Sequence, residues 1–270
     1  MIRSNVGGTS GILNPSAIAA KFQLARHLPA QDLSYFVHHY WVVKWDLRGQ
    51  APYQQEVLPY PVVHLVIEHD KSGIVGVIKG KFSTLLHDQG WVFGVKFRAG
   101  AYYPFVTSPV SAITDRSIRI AHVFGDDGQA LEAAIRACDD EAHWIECADL
   151  FLRSRLPERD QNVELINQII DCVVADRTIL KVDALVDRFN LGKRTLQRMF
   201  SQYVGVSPKW VIMRYRLQEA ADQLAHNESV NWPKMALDLG YFDQAHFIKD
   251  FKMIVGRTPA EYARSIGSER

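Results

Sequence analysis

Three long polar side chains near residue 195 have the types and the spacing to form one hydrogen-bonding surface. Arg194, Gln197 and Arg198 share one face if their segment is helical, because residues three and four positions apart are neighbours on a helix. Arginine can bond guanine bidentately and glutamine can bond adenine in the same way, each worth about 1–3 kcal/mol of discrimination. These three side chains could therefore form hydrogen bonds with nucleic-acid bases. The alternative is a solvated polar helix face.

Residues that could perform catalysis do not form a recognisable pattern. Five histidines lie in the N-terminal half, but no H-x-H pair is followed by a suitable Glu, and adjacent histidines are expected on opposite faces of a strand. These are His38, His39, His64, His69 and His87. There is no nucleophile elbow, Gly-rich phosphate loop or paired-carboxylate motif. The sequence therefore predicts a protein that is not an enzyme and has neither a metal site nor a cofactor.

The last hundred residues contain an internal repeat. Leu196-Gln197-Arg198-Met199-Phe200 corresponds to Phe247-Ile248-Lys249-Asp250-Phe251 at an offset of 51. At the same offset, Val204-Gly205-Val206-Ser207-Pro208 corresponds to Val255-Gly256-Arg257-Thr258-Pro259. In each copy a glycine can end one helix, and a hydroxyl residue before proline can cap the next. The same helical unit is therefore expected twice.

Each copy is interpreted as a helix-turn-helix, at about 182–204 and 232–255, with the turns near Asn190 and Gly240. One helix, roughly Lys209 to His226, joins them, and its length is about 27 Å at a rise of ~1.5 Å per residue. With the flanking turns, this approaches the ~34 Å between successive major-groove faces. The repeat predicts a single chain that contacts one side of a duplex twice.

The segment from about Val163 to Arg264 resembles the DNA-binding domain of bacterial AraC/XylS-family transcription regulators. The second copy carries that family's signature in Gly240-Tyr241-Phe242-Asp243-Gln244-Ala245-His246-Phe247, Phe251-Lys252 and Gly256-Arg257-Thr258-Pro259-Ala260-Glu261-Tyr262. The first copy matches through Leu196 to Phe200, Gly205, Ser207-Pro208, Arg216-Leu217, Ala220 and Leu224. Residues 33–155 also resemble an N-terminal domain often found ahead of this module. Its motifs here are Glu56-Val57-Leu58-Pro59, Val92 to Arg98 and Thr114-Asp115-Arg116.

The resemblance implies a set of DNA contacts on two recognition helices. They are Lys193, Arg194, Gln197 and Arg198 in the first unit, and Gln244, Ala245, Ile248 and Lys249 in the second. Ala245 and Ile248 cannot donate a hydrogen bond, although either could touch a thymine methyl. The first unit is therefore expected to dominate sequence specificity. Lys193 and Lys249 are also compatible with phosphate contacts, and His246 with a backbone contact or plain surface.

The N-terminal part is rich in aromatic and β-branched residues punctuated by turn signals. Strands are predicted at Tyr35–Trp45, Val62–His69, Ile74–Ile78, Trp91–Phe97 and Tyr102–Val106, after a loose arm over residues 1–30. Helical spacing follows from Leu131 to Cys138 and from Trp144 to Leu152, and the polar stretch Arg153–Asn162 is the linker candidate. The predicted fold class is α+β: an antiparallel β-barrel or cupin-like domain with flanking helices (1–157), then an all-α double helix-turn-helix domain (158–270).

Net charge supports this division. The 270 residues carry a net charge of +1. Residues 1–180 have 17 basic and 20 acidic side chains (−3), whereas residues 181–270 have 14 and 10 (+4). The three cysteines, Cys138, Cys147 and Cys172, form no C-x-x-C pair and are expected to be reduced. Neither a membrane span nor a secretory signal is visible, so a cytoplasmic protein is expected.

The resemblance also implies a regulatory role for the N-terminal domain, by effector binding or dimerisation. Candidates for lining an effector pocket are Tyr40, Tyr60, His64, Trp91 and Tyr102, although aromatic residues at such positions are more often simple core packing. Double-stranded DNA is the predicted main partner. A small-molecule effector, a second copy of the chain and, for an activator, RNA polymerase are further partners that the resemblance allows. The alternative is an N-terminal domain that binds no small molecule and serves only in dimerisation or partner-protein binding.

Overall fold

A computed structural model describes residues 21–69, 71–226 and 231–267. Its strands are β1 (Gln23–His27), β2 (Val37–Asp46), β3 (Tyr53–Val57), β4 (His64–Glu68), β5 (Ser72–Val75), β6 (Phe82–Leu86), β7 (Gln89–Phe97) and β8 (Ser117–Ile118). Six of them form a sheet in the order β1-β2-β7-β4-β5-β8, and β3 pairs with β6 in a separate ribbon. All pairings are antiparallel.

One face of the larger sheet is covered by two helices, α2 (Ile120–Arg136) and α3 (Glu141–Arg153). Alternation along β2 and β7 directs Tyr40 and Phe93 towards α3, where both meet buried groups. The Tyr40 hydroxyl donates to Asp149 at 2.5 Å, and the Phe93 ring lies 6.0 Å from that of Trp144. Burial of these large aromatic groups holds the helices on the sheet.

The remainder of the described chain is helical. After the short α1 (Tyr103–Val106) within the N-terminal part, the C-terminal helices are α4 (Gln161–Ala175), α5 (Val182–Phe189), α6 (Lys193–Met199), α7 (Pro208–His226), α8 (Trp232–Asp238), α9 (Gln244–Val255) and α10 (Pro259–Gly267). A π-helical turn, Phe200–Val204, extends α6. Within the described residues, none of these helices is both long and apolar enough to cross a bilayer.

The sheet domain and the helices share one hydrophobic core, and hydrogen bonds cross between them. The Thr114 hydroxyl donates to the carbonyl of Gly205 at 2.6 Å. The indole Nε1 of Trp210, on α7, donates to the carbonyl of Lys79 at 3.2 Å. Gln202 Nε2 donates to the Tyr103 hydroxyl at 2.5 Å. The two parts are therefore packed together over α7 and the end of the first helix-turn-helix unit.

The predicted fold class is confirmed: antiparallel strands come first and an all-α double helix-turn-helix region follows. The predicted strand at Tyr102–Val106 is wrong. It is the helical turn α1, because Pro104 in its first turn fixes a helix-compatible φ and has no N–H to give to a ladder. Part of the predicted arm is also wrong, since Gln23–His27 forms β1 against β2. Residues 1–20 of the arm lie outside the described residues.

The expectation for the adjacent histidines is wrong as well. A register irregularity between Val37 and His39 disturbs the alternation of β2. The two Nδ1 atoms of His38 and His39 therefore come within 2.7 Å of each other, and one ring donates to the other. The three cysteines are free.

Buried His39 and half-buried His64 are expected to make the fold sensitive to acid. Burial, followed by the nearby Lys96 charge, lowers the pKa of His39 to about 2 and that of His64 to about 3, from an ordinary 6.5. Below pH 6.5, His39 and His64 bind protons in the unfolded chain but stay neutral in the folded chain. The free energy of unfolding therefore decreases as the pH falls below 6.5. At pH 5 the loss from His39 alone is about 2 kcal/mol.

Chemical denaturation at pH 7 and pH 5 measures this loss. His39→Gln should reduce the difference between the two pH values by about 2 kcal/mol. His87→Gln, which removes an exposed histidine of the same domain, is the control and should leave the difference unchanged. An unaltered pH dependence in His39→Gln would show that His39 does not carry the effect.

Candidate nucleic-acid interface

The first helix-turn-helix unit is built by α5, a tight turn and α6. Asn190 ends α5 in the left-handed conformation (φ 49°), which asparagine tolerates better than most residues. Gly192 then caps α6 without a side-chain hydrogen bond. Leu196, Met199 and Phe200 are buried, as the sequence predicts, and fix the rotation of α6 about its axis.

The opposite face of α6 is polar and exposed. Arg194, Gln197 and Arg198 all lie there, and none of the three makes a side-chain hydrogen bond or ion pair with a described residue. Lys193 is exposed too, but its Nζ pairs with Asp183 at 2.7 Å. The structure thus brings the three predicted base-contacting side chains together on one surface and ties Lys193 to α5.

The second unit has the same organisation, with α8, a turn at Gly240 and α9. Gly240 adopts φ 79°, where a side chain would also meet Leu180. The Asp243 carboxylate accepts from the backbone N–H of His246 at 2.8 Å and caps α9. Phe247 and Phe251 are buried, in the places that Leu196 and Phe200 occupy in the first unit.

The exposed face of α9 is less polar than that of α6. Gln244, Ala245 and Lys249 are exposed, whereas Ile248 is half-buried against the core. The structure therefore presents two of the four predicted side chains of this unit as exposed polar groups. A further residue of the signature, not predicted as a DNA contact, is exposed here: the Phe242 side chain, directly before the Asp243 cap, is 94% exposed.

Helix α7 joins the two units, and a buried arginine fixes it to α4. The Arg216 guanidinium donates to the carbonyls of Val173, Asp176 and Ile179, at and beyond the C-terminal end of α4. It also pairs with Glu219 at 3.1 Å. The last carbonyls of a helix have no intrahelical partner, and here Arg216 supplies donors for them.

The predicted caps of α7 and α10 are present. Ser207 Oγ accepts from the N–H of Trp210 at 3.2 Å at the start of α7. Thr258 and Glu261 cap α10 reciprocally: the Thr258 N–H donates to the Glu261 carboxylate at 2.8 Å, and the Glu261 N–H donates to the Thr258 hydroxyl at 3.3 Å. The left-handed Gly205 and Gly256 precede these caps. The repeated sequence thus produces the same local geometry twice.

The five candidates for an effector pocket do not lie together. Tyr40, Trp91 and Tyr102 pack in the core: Tyr40 against Asp149, Trp91 against Trp144 and Tyr102 against Phe97. Tyr60 and His64 are instead both neighbours of Lys96. Sequence reasoning missed Lys96, because its surroundings come from several distant segments.

Two family models match the chain. Residues 185–265 match one described as a helix-turn-helix domain, and residues 25–119 match one described as a domain of unknown function, DUF6597. An uncharacterised HTH-type transcriptional regulator of Haemophilus influenzae is 31% identical over 85 residues. The HTH-type transcriptional activator RhaS of Escherichia fergusonii is 34% identical over 79 residues.

Residues 185–265 thus form an AraC-type helix-turn-helix domain. The alignments with the two relatives cover 32% and 29% of this chain and 28% of each relative, so they concern the AraC-type domain alone.

Solved structures of ToxT from Vibrio cholerae are also similar. One, from strain O395, is 11% identical with a TM-score of 0.36 and covers 76% of this chain and 85% of ToxT. A second, wild-type ToxT bound to an unsaturated fatty acid, is 12% identical with a TM-score of 0.35 and covers 78% and 86%. At these TM-scores the likeness carries no conclusion about this chain.

Arg216 is expected to be essential for the stability of the AraC-type domain. Arg216→Met should lower the free energy of unfolding by about 3 kcal/mol or more, because it leaves several buried carbonyls without donors. Arg177→Met is the matched control: Arg177 also pairs with Glu219, at 2.8 Å, but its side chain is 74% exposed. Its loss should cost less than about 1 kcal/mol. Urea denaturation of both variants makes the comparison, and equal costs would contradict the structural role of Arg216.

Proposed function

We propose that this protein is a sequence-specific DNA-binding transcription regulator that inserts α6 and α9 into successive major grooves of one duplex. The observation that carries the proposal is the repeated unit, in which each second helix buries its apolar face and exposes a polar one. The 19 residues of α7 extend about 28 Å, close to one helical turn of DNA once the flanking turns are added. A single chain can therefore supply both helices.

We assign different roles to the two recognition helices. Arg194, Gln197 and Arg198 are proposed to contact base edges, since they are exposed and uncommitted to other described residues. Gln244 and Lys249 are proposed to make the polar contacts of the second unit, with Ala245 and Ile248 available for thymine methyl groups. Lys193 is proposed to contact phosphate. In this proposal the first unit dominates sequence specificity. The second unit mainly positions the protein on the duplex and adds affinity.

We propose further that the N-terminal part, residues 1–157, modulates DNA binding by residues 158–270 in response to a small effector. Support comes from the shared core and from hydrogen bonds that join the sheet domain to α7 and Gly205. A change in the sheet domain would be transmitted to the helix that sets the spacing of the two units. The alternative, an N-terminal part that serves only in dimerisation or in binding a partner protein, would use the same contacts without a ligand.

Two single substitutions separate base reading from phosphate contact. Arg198→Ala should weaken binding to the preferred duplex about tenfold or more, with a smaller effect on a scrambled duplex. Lys249→Ala should weaken binding to both duplexes similarly and should reduce the salt dependence. Fluorescence anisotropy with labelled duplexes at two salt concentrations measures both effects.

Lys71→Ala is the control, because it removes one exposed positive charge from the sheet domain. It should bind both duplexes like the wild type. If Arg198→Ala weakens both duplexes equally, Arg198 does not read bases.

A further inference from the structure

Lys96 lies on β7 with a histidine on each neighbouring strand. His39 on β2 and His64 on β4 are its direct cross-strand partners. Paired residues of antiparallel strands point to the same face, so the three side chains are neighbours. The residues on either side of Lys96, Val95 and Phe97, are buried and point to the opposite face.

A second cation reaches this cluster from α7. The Lys96 ammonium lies 3.8 Å from the centre of the Tyr60 ring, and the Arg214 guanidinium lies 4.4 Å from the centre of the same ring. Arg214 is only 2% exposed and donates to the carbonyls of Pro59 at 2.9 Å and Leu58 at 3.3 Å. The Tyr60 ring is thus in contact with one cation from the sheet, Lys96, and one from the DNA-binding part, Arg214.

Lys96 has no carboxylate partner among the described residues, in contrast to Lys44, Lys79 and Lys81 of the sheet domain. Lys44 pairs with Asp139 at 2.9 Å, and Lys81 pairs with Glu56. No carboxylate of a described residue lies within salt-bridge distance of Lys96. The charged groups that act most strongly on Lys96 are the cationic Arg26 and Arg214. Positive charge is therefore concentrated around Lys96.

The electrostatics of the cluster favour an added negative charge. Burial, followed by the Arg26 and Arg214 charges, lowers the pKa of Lys96 to about 8. His64 Nδ1 accepts from the indole of Trp41 at 3.2 Å, so the proton of the neutral ring is on Nε2, where it can be donated. A desolvated ammonium without a counter-ion is costly, and cation–π contact offsets only part of that cost. An anion would offset the remainder.

We propose that this cluster binds the anionic group of a small molecule, a carboxylate or a phosphate, at the Lys96 ammonium, with His64 Nε2–H as a further donor and the Arg214 guanidinium as the second positive charge. The inference rests on the proposed regulatory function and names the chemical class of the effector. Two N–H groups of Arg214 donate to carbonyls, so part of its guanidinium fork remains for the anion.

The rest of the ligand has a place beside the cluster. A groove of about 600 Å³ between α4 and α7 is lined by Tyr60 and Arg214, and its other charged lining residues are Arg177, Arg216, Glu219 and Asp222. Because Arg214 belongs to α7, an anion that contacts Arg214 would act directly on the helix that joins the two DNA-binding units.

Titration of the full-length protein with acetate and with inorganic phosphate, followed by NMR at constant ionic strength, tests the site. The indole N–H of Trp41 reports on the cluster through its bond to His64. The indole of Trp45, on the same strand, donates to the carbonyl of His87 and is the internal control. A saturable shift of Trp41 but not Trp45 with either anion is expected, and the anion that saturates identifies the head group. No saturable shift with either anion would overturn the proposal.

Matched lysine variants identify the binding group. Lys96→Met should weaken binding of the saturating anion about tenfold or more, whereas Lys44→Met, which removes a carboxylate-paired lysine of the same sheet, should not. Raising the pH from 7 to 9 should weaken binding to wild type as Lys96 loses its proton. Of its neighbours, His38, His39 and His64 have pKa values far below this range, and Arg26, Arg214 and Tyr60 are the other groups facing it. Unchanged affinity in Lys96→Met would overturn the assignment.

Duplex binding, measured in parallel, separates this inference from the proposed function. Lys96→Met should bind the preferred duplex like wild type without added anion but should lose the effect of the anion on DNA affinity. Saturable anion binding in a protein that binds no duplex would overturn the regulatory function and leave the anion site standing. Specific duplex binding without a Lys96-dependent anion response would overturn the anion site and leave the DNA-binding function standing.

Discussion

Two buried arginines on α7 constrain the whole arrangement. Arg214 and Arg216 are two positions apart, so their side chains leave the helix in nearly opposite directions. Arg216 donates to the carbonyls at the end of α4, and Arg214 donates to the carbonyls of Leu58 and Pro59 ahead of β4. Each buried guanidinium must keep its partners, because an unsatisfied charge in the interior is costly. If helix α7 separated from the sheet domain or from the rest of the AraC-type domain, the Arg214 or Arg216 guanidinium would lose its hydrogen-bond acceptors.

This constraint links the two ends of the proposed mechanism. Helix α7 sets the separation of α6 and α9, and Arg214 on the same helix lies against Tyr60 together with Lys96 of the sheet. A ligand that binds Lys96 and Arg214 acts on both parts at once. A ligand can regulate DNA binding only through the difference in its affinity for the DNA-bound and the DNA-free protein, and the same coupling must act in reverse from DNA to ligand.

The helical part could be predicted from the sequence because its signals are local. Repeated apolar spacing, the hydroxyl–proline starts at Ser207 and Thr258, and the turns at Asn190 and Gly240 all act within a few residues. The sheet was predicted less completely. Strand β1 depends on pairing with β2, and the contact between His38 and His39 depends on an irregularity in the β2–β7 register. Lys96 gave no signal, since β1, β2, β4, the Tyr60 loop and α7 jointly create its environment.

The central claim is that one chain reads two successive major grooves, with the first unit dominating. Selection of bound duplexes from a random library by the full-length protein tests it most directly. The account predicts two enriched blocks whose centres are about 10 base pairs apart, one helical turn. The block read by the first unit is the one that loses its base preference in Arg198→Ala. The account predicts that this block has the stronger base preferences and that they include guanine. Recovery of no enriched sequence, or of a single block unaffected by Arg198→Ala, would contradict the account.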